Sequence, residues 1–294
     1  MTNQYQFWVN LAAKFAIFSA VLLLLIKLYA WWSTDASVML ASATDSLVDL
    51  FASAANVLML KVALSPPDEN HNYGHGKAES LAGLLQAAFV AGSAVLLLVN
   101  GIEHIAAPKS IQQASIAIWV TVLSLAMTIL LVMVQHITIS KTESVAIKAD
   151  SLHYKGDILL NLSVLAALLL AEYVTPTADG IFTCLVASYL LINSVVIAKQ
   201  SIDQLMDRTL AETELEQVKH AIRQHPEVIG YRNLKARKSG AVSFIQVDLE
   251  LADHLTLLTA HDIGLQVEEH IHQVIDNAEV VIHHEPAPAN RSLY

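Results

Sequence analysis

The sequence is short of charge and nearly devoid of cysteine. Only 15% of its 294 residues are Asp, Glu, Lys or Arg, whereas about a quarter is usual in soluble chains. This deficit, together with 54% hydrophobic residues and a mean hydropathy of +0.49, argues against an ordinary soluble enzyme. Because Cys184 is the single cysteine, a disulfide framework and a cysteine-based zinc ribbon are both excluded. Any bound metal would be held by imidazole and carboxylate groups.

Basic residues are scarce as well. The 17 Lys and Arg residues against 27 Asp and Glu residues give a formal net charge of −10, so the chain lacks the basic surface that a nucleic-acid partner requires. Thirteen histidines beside this acidity point instead to cations. The N-terminus has neither a basic region nor a small-residue cleavage site around its first apolar run. We therefore interpret that run as a membrane helix rather than a cleavable signal.

Long apolar runs dominate the first two thirds of the chain. A helix needs roughly 20 apolar residues to span a bilayer core, and the predicted spans are 8–32, 37–64, 78–107, 115–139, 144–173 and 179–205. Basic residues near their ends lie mostly on the side of the termini, namely Lys61, Lys77, Lys141, Lys199 and Arg208, with Lys109 opposite. Both termini are therefore expected in the cytoplasm. Lys14 and Lys27, inside the first span, are interpreted as snorkelling side chains.

The composition changes after about Met206 to a mixture of polar and apolar residues. The spacing predicts a helix that opens with a capping box of Thr209 and Glu212 and stops before Pro226. It further predicts strands at 228–236, 242–251 and 279–284 and a helix at 257–275. This α-β-β-α-β order predicts an α+β sandwich of an antiparallel sheet and two helices. We expect a six-helix all-α transmembrane transport domain over 1–207 and a cytoplasmic metal-binding and dimerisation domain over 208–294.

Ionisable residues interrupt the second and fifth apolar segments. Asp45 and Asp49 share one face of a helix because they are four residues apart, and His153 and Asp157 repeat that spacing. A charge near the bilayer centre costs about 2.5–3.5 kcal/mol, so these groups need a cation, a proton or a water-filled cavity. If the two pairs face each other, they provide four N/O ligands, the number in a tetrahedral zinc site. The alternative is a helix-packing network or a partly protonated carboxylate cluster.

Two further groups of residues are of metal-ligand type. Asp68, His71 and His75 lie in a glycine-containing loop after the second segment, which is otherwise interpreted as a solvated connector. A second group lies around a His-His-Glu run at a predicted strand end, where exposed polar sequence is the alternative interpretation. The members of this group are Asp248, His261, His283, His284 and Glu285.

These features resemble the cation diffusion facilitator family. The resemblance covers essentially the whole chain, because it includes six spans, the two spaced ligand pairs and the α-β-β-α-β tail. Four local stretches sharpen it: DSLVD at 45–49, NYGHGKAE at 72–79, ADSLHYKGD at 149–157 and LMDR at 205–208. They are similar to the bacterial subgroup of zinc and ferrous-iron efflux pumps. The family forms homodimers with a metallochaperone-like, ferredoxin-like cytoplasmic domain and exchanges metal for protons.

The resemblance implies roles for individual residues. The transport metal site is matched by Asp45, Asp49, His153 and Asp157. The loop metal site is matched by Asp68, His71 and His75. Lys77 and Asp207 match a charge pair that locks the membrane part to the C-terminal dimer, and Leu152 matches a hydrophobic gate beside the transport site.

The chain departs from the subgroup at the cytoplasmic two-metal site. The subgroup has His where Arg232 and Asp248 stand, and Asp where Glu285 stands. Arginine cannot ligate a metal because it stays protonated, so Arg232 is expected to neutralise Asp248 or Glu285. A lobe built on His261, His283 and Glu285 keeps three ligand-type side chains. One, two or no metal ions in this domain all remain open.

The sequence therefore predicts an antiporter of the bacterial inner membrane that exports Zn²⁺, with Cd²⁺ or Fe²⁺ as further candidates, in exchange for protons. Ligation requires a neutral imidazole and ionised carboxylates, so metal binding releases protons and protons release metal. No prosthetic group is expected, since the metal is the substrate. An intramembrane zinc enzyme is a first alternative, although the chain has no His-Glu-x-x-His motif. A membrane metal sensor is a second, although it has no use for ligands at mid-bilayer depth.

Overall fold

The structure is a computed structural model, and it describes residues 3–34, 37–106, 115–169 and 178–287. The chain divides into two compact units. The first runs from Asn3 to Ile202, and the second begins at Asp203.

In the part of the chain that the structure describes, the first unit consists of six long helices. They are α1 (Asn3–Thr34), α2 (Ser37–Ala63), α3 (Lys77–Ala106), α4 (Ser115–Thr142), α5 (Val145–Leu169) and α6 (Ala178–Leu205). Each coincides with one of the six predicted apolar segments, although α1 begins five residues before the predicted 8–32. Residues 107 and 170–173 of the predicted segments lie outside the described residues.

Within the described residues, five helices are long and apolar enough to cross a membrane. The spans are Gln4–Ser33, Ser42–Ala63, Lys77–Ala106, Trp119–Thr142 and Gly180–Leu205. Among the described residues α5 does not reach this level of hydropathy, because Lys148, Asp150, Lys155 and Asp157 interrupt it. This helix instead packs against α3 and α4. A polar helix is tolerated at membrane depth when its charged groups face the bundle interior or a cavity.

Apolar contacts on two sides hold α5 inside the bundle. Leu152 belongs to a buried cluster with Val90 of α3 and Leu190 of α6. Ile147 belongs to a second cluster, which includes Val9 of α1. The apolar residues beside the ionisable groups of α5 thus pack against α1, α3 and α6. This packing holds the ionisable groups in place.

Glycines allow α3 and α6 to approach closely. A Cβ atom added to Gly180 would lie 2.7 Å from the carbonyl oxygen of Gly101, and one added to Gly101 would lie 2.7 Å from Sγ of Cys184. Small residues at helix crossings let backbones meet, which is a common way of packing helices in membranes. Cys184 is thus a packing residue of this crossing.

The second unit has the predicted α-β-β-α-β order. Its elements are α7 (Glu212–Arg223), β1 (Gly230–Ser239), β2 (Val242–Leu251), α8 (Leu257–Val274) and β3 (Ala278–Pro286). The strand order is β1-β2-β3, with β1 antiparallel and β3 parallel to β2. The predicted wholly antiparallel sheet is wrong, because α8 carries the chain back along the sheet before β3 starts. Both helices contribute to one core, for example through Ile222, Val267 and Ile271.

The first turn of α7 also differs from the prediction. The helix begins after Ala211, and not with a capping box of Thr209 and Glu212. Glu214 supplies one half of a capping box, since its carboxylate accepts a hydrogen bond from the backbone N–H of Ala211 at 3.3 Å. An alanine side chain cannot accept the reciprocal bond, so only one N-terminal donor is satisfied in this way.

Candidate metal centre

Three of the four predicted transport ligands come together inside the first unit. Nε2 of His153 lies 2.8 Å from Oδ1 of Asp49 and 3.9 Å from Oδ2 of Asp157. One ligand atom from each of the three residues lies within 4.8 Å of the others. One imidazole from α5 and carboxylates from α2 and α5 are a donor set that suits a divalent transition-metal ion. The described conformation thus joins two helices through their ligand atoms.

Asp45, the fourth predicted ligand, lies outside this cluster. It is one turn before Asp49 on α2 and is exposed, whereas Asp49 is half-buried. Its carboxylate nevertheless lines the same two cavities as Asp49 and Asp157. Its role as a metal ligand stays a prediction.

Two cavities share these carboxylates. One has a volume of about 220 Å³ and is lined by residues of α1, α2, α4 and α5. The other has a volume of about 560 Å³ and is lined by residues of α2, α3, α5 and α6. Asp45, Asp49 and Asp157 line both, and His153 lines the larger one. Carboxylates are tolerated at membrane depth where they face the bundle interior or a water-filled cavity.

A buried carboxylate lies about one helical turn before His153 on α5. Asp150, three residues before His153, is 1% exposed. It accepts hydrogen bonds from Nε2 of Gln135 on α4 at 2.7 Å and from Nε2 of Gln86 on α3 at 3.3 Å. These bonds hold the first turns of α5 against two neighbouring helices. In the sequence, Asp150 stands out only as part of a polar run. The two glutamines inside apolar segments were the signal that could have indicated a buried hydrogen-bond partner.

Lys27 faces the site, which corrects its interpretation as a snorkelling side chain. Its Nζ donates a hydrogen bond to Oγ of Ser46 on α2 at 2.7 Å, and it lines the smaller cavity. Tyr154 is a further residue that sequence reasoning missed. It is 2% exposed, lines the same cavity, and its hydroxyl lies 2.8 Å from Oγ of Ser53. Lys27 and Tyr154 each place a polar group in an apolar segment. This was the one feature of the sequence that could have indicated their position at the cavity.

The predicted loop ligands also come together. Oδ1 of Asp68 lies 3.2 Å from Nδ1 of His71, and Oδ2 lies 3.4 Å from Nε2 of His75. One ligand atom from each lies within 4.8 Å of the others. The backbone N–H groups of His71 and Asn70 donate to the Asp68 carboxylate and hold its pKa below the usual value. Gly74, at φ +75°, supplies the left-handed turn that precedes His75.

The cytoplasmic candidates are neighbours in the sheet of the second unit. Across the strands, Asp248 on β2 lies beside Arg232 on β1 and beside His283 on β3. Arg232 forms two ion pairs, from Nε to Glu250 at 2.5 Å and from Nη2 to Glu285 at 2.5 Å. Glu285 is one of the two carboxylates predicted to pair with this arginine. The second partner, Glu250, was not predicted and is 1% exposed.

The remaining cytoplasmic candidates have other surroundings. Oδ2 of Asp248 accepts a hydrogen bond from Nδ2 of Asn233 at 2.6 Å, and the side chains of His261 and His283 are exposed. Over the described ranges, two groups have ligand atoms from three residues within 4.8 Å of one another. They are the group that contains Asp49 and the group that contains Asp68. Among the described residues, the cytoplasmic candidates are thus neighbours whose ligand atoms do not reach the distances of one metal site.

The two residues of the predicted locking charge pair belong to different compact units. Asp207, in the second unit, forms an ion pair with Nη1 of Arg237 at 3.0 Å. The guanidinium of Arg237 also lies over the ring of Phe244, 4.7 Å from its centroid. Lys77 is the first residue of α3, in the other unit. The Lys77–Asp207 pair stays a prediction, as does the gate at Leu152, which is 5% exposed beside His153.

A carboxylate–imidazole cluster inside a bundle of long apolar helices, together with a small α/β domain, is the combination expected of a membrane transporter of divalent cations. Residues 13–206 match the cation efflux transmembrane domain. Residues 210–287 match the cytoplasmic domain of cation efflux proteins. The chain therefore belongs to the cation efflux family, also called the cation diffusion facilitators.

Individual relatives are similar over very different lengths. The chain is 41% identical over 286 residues to the cation-efflux pump FieF of Yersinia pestis (strain Pestoides F), which covers 97% of this chain and 95% of the pump. FieF of Yersinia pseudotuberculosis (serotype IB) gives the same values. The metal-bound C-terminal domain of the CzcD transporter from Thermotoga maritima is 25% identical, covering 26% of this chain and 94% of that domain with a TM-score of 0.25. From its family and the full-length relatives, the protein is a cation-efflux transporter and not an enzyme, so the metalloenzyme alternative is wrong.

Proposed function

We propose that this protein is a Zn²⁺/H⁺ antiporter that exports zinc from the cytoplasm by alternating access. The single observation that carries the proposal is the cluster of Asp49, His153 and Asp157, whose ligand atoms lie within 4.8 Å of one another. Family membership supports cation efflux. The cluster supports the choice of ion and the coupling to protons.

The donor types favour zinc among the common cations. One imidazole and two carboxylates without a thiolate suit borderline divalent ions better than Cu(I). Mg²⁺ prefers an octahedral shell of oxygen ligands with several retained waters, and an imidazole at the centre of the cluster is a poor match to it. Cd²⁺ and Fe²⁺ accept the same donors and are proposed as secondary substrates.

Protons and metal compete for the same atoms. The hydrogen bond between Nε2 of His153 and Asp49 requires a proton in the position where a divalent ion would contact both groups. When the imidazole carries protons on both ring nitrogens, loading of metal at Nε2 releases this proton, and a proton that arrives from the other side displaces the metal. An inward proton gradient consequently drives zinc outward when helix movements open the cluster to one side and then to the other.

The remaining features of the proposal concern placement and assembly. We propose the bacterial inner membrane as its location. An even number of membrane-crossing helices would bring both termini to one side, and the basic residues near the helix ends, which lie mostly on that side, support the cytoplasm. The region from residue 208 onward is proposed as the cytoplasmic dimerisation domain of a homodimer. Its match to the cytoplasmic domain of cation efflux proteins supports this assignment. The loop cluster around Asp68 is proposed as a second zinc site, at the end of α2.

Liposome flux tests the proposal directly. Protein reconstituted with an internal zinc-sensitive dye should transport Zn²⁺ when a pH gradient is imposed, and dissipating the gradient should slow the flux. Asp49→Ala and Asp157→Ala should abolish it, because each removes a negatively charged ligand. Asp253→Ala, which removes a highly exposed carboxylate of the second unit, should transport like wild type.

Two outcomes contradict the proposal. Zinc flux unchanged in the Asp49 and Asp157 variants removes those residues from the transport path. Zinc binding without any flux, accompanied by metal-dependent recruitment of another protein, favours the sensor alternative instead.

A further inference from the structure

Lys27 places a positive charge in the cavity that the transport carboxylates line. Its side chain is half-buried, and Nζ donates to Oγ of Ser46, a residue that is 2% exposed. The same cavity of about 220 Å³ is lined by Asp45, Asp49 and Asp157. The ammonium group and three carboxylates therefore border a single small space.

This placement differs from that of the other lysine on the same helix. Lys14 is exposed on the surface of the unit, as a snorkelling lysine is expected to be. Lys27 instead points toward α2, which packs against α1, and its contact is a buried hydroxyl next to Asp45 in the sequence. The orientation of Lys27 is therefore built into the contact between the two helices.

The charges in this cavity add up in a specific way. Three ionised carboxylates and one ammonium leave two negative charges, which equals in magnitude the charge of one divalent cation. Without the ammonium, three negative charges would hold a divalent ion more strongly, because Coulomb attraction in a partly dehydrated space is several times stronger than in water. A transport site has to bind its ion firmly enough to load it and weakly enough to release it.

We propose that Lys27 sets the charge of the transport cavity to match one divalent cation and thereby keeps metal affinity low enough for release. This inference rests on the proposed function and adds an affinity-determining residue to it. Lys27 does not ligate the metal, since an ammonium has no lone pair to donate. It acts through the potential in the cavity.

Zinc affinity in four variants of the full-length protein tests this. Zn²⁺ is titrated against a competing chelator in detergent, and the component that disappears in Asp49→Asn is assigned to the membrane site. Lys27→Met removes the charge at similar length and should bind zinc at this site about tenfold more tightly. Lys27→Arg keeps the charge and should stay within about twofold of wild type. Lys14→Met, the matched control on the exposed side of α1, should also stay within about twofold.

Ser46→Ala separates charge from contact. It removes the hydrogen-bond acceptor of Lys27 but leaves the ammonium in place, so affinity should remain near the wild-type value. If Lys27→Met and Ser46→Ala both weaken binding to the same extent, the lysine only holds α1 against α2 and the proposal is overturned. Where Lys27→Met does not fold, Lys27→Gln keeps a donor for Ser46 without the charge and should show the same tightening.

Transport provides the second readout. Slower release should lower the zinc turnover of Lys27→Met in liposomes while its affinity rises, a combination that loss of structure does not produce. Affinity equal to or weaker than wild type in folded Lys27→Met overturns the inference about Lys27 alone, provided that wild type shows Asp49-dependent binding and flux. Absence of both in wild type overturns the proposed function itself.

Discussion

At the scale of the residue, the site depends on which atom each side chain presents to its neighbours. Asp49 and His153 meet at 2.8 Å across two helices, whereas Asp45, on the same helical face as Asp49, stays outside the ligand cluster. In the second unit, Arg232 forms ion pairs with the carboxylates of both Glu250 and Glu285. Residue type alone does not distinguish a ligand from a neighbour of a ligand, because a rotation about one or two side-chain bonds moves an oxygen by several ångströms.

His284 should make the second unit sensitive to acid. Its Nε2 is buried without a hydrogen-bond partner among the described residues, and a Cβ on Gly264 would lie 2.5 Å from it. Burial, followed by the nearby imidazoles of His261 and His283, lowers the pKa of His284. The unfolded chain therefore takes up this proton at a higher pH than the folded chain. The stabilisation is complete above the ordinary histidine pKa of about 6.5 and is lost as pH falls through the lowered folded value.

Hydrogen exchange in the full-length protein measures this effect. Between about pH 7.5 and pH 5.5, the protection of β3 should fall in wild type, after correction for intrinsic exchange rates. His284→Asn should show a smaller fall, whereas His254→Asn, a change at a highly exposed histidine, should behave like wild type. If the protection of β3 falls equally in all three proteins, His284 is not the source of the acid sensitivity.

At the scale of the element, α5 carries two of the three clustered ligands, His153 and Asp157. Among the described residues it is also the long helix that does not reach membrane-spanning hydropathy, because charged residues interrupt it. Its position follows from packing against α3 and α4 and from the hydrogen bonds of Asp150 to Gln86 and Gln135. These contacts hold the first half of α5 in place, so that His153 and Asp157 point toward α2. A polar helix is thereby kept in the interior by partners rather than by its own hydrophobicity.

Gln135→Ala should destabilise the helical unit by about 1–3 kcal/mol, since it leaves a buried acceptor without its shorter hydrogen bond. Gln86→Ala should cost less, because its bond to Asp150 is 3.3 Å rather than 2.7 Å long. Thermal or denaturant unfolding in detergent gives the comparison, with Gln200→Ala on the exposed side of α6 as the control. Equal stability of all three variants contradicts the bridging role of Asp150.

At the scale of the whole molecule, the ligand-type residues fall into clusters that differ in how closely their ligand atoms approach. The cluster of Asp49, His153 and Asp157 and that of Asp68, His71 and His75 reach ligand spacing. In the second unit, the carboxylates of Glu285 and Glu250 both pair with Arg232, whose single positive charge offsets one of their two negative charges. A guanidinium thus supplies the positive charge that a metal ion would otherwise bring to these carboxylates.

We therefore expect two zinc ions per chain. Anomalous diffraction at the zinc edge should show one peak at the membrane cluster and one at the loop cluster. The loop peak should disappear in a His71→Ala, His75→Ala variant that keeps its Asp49-dependent flux, because the two clusters share no ligand. A third peak among His261, His283 and Glu285 contradicts the expectation that the ion pair with Arg232 keeps Glu285 from binding a metal ion.

The sequence alone determined the six long helices, the order of elements in the second unit and the identity of most candidate ligands. Hydrophobic run length and four-residue spacing are local properties of a chain, so they can be read without coordinates. The parallel pairing of β3 with β2, the exclusion of Asp45 from the cluster and the turn of Lys27 toward Ser46 were decided by tertiary structure alone. Each of these depends on where a second element lies in space, and no local pattern encodes that distance.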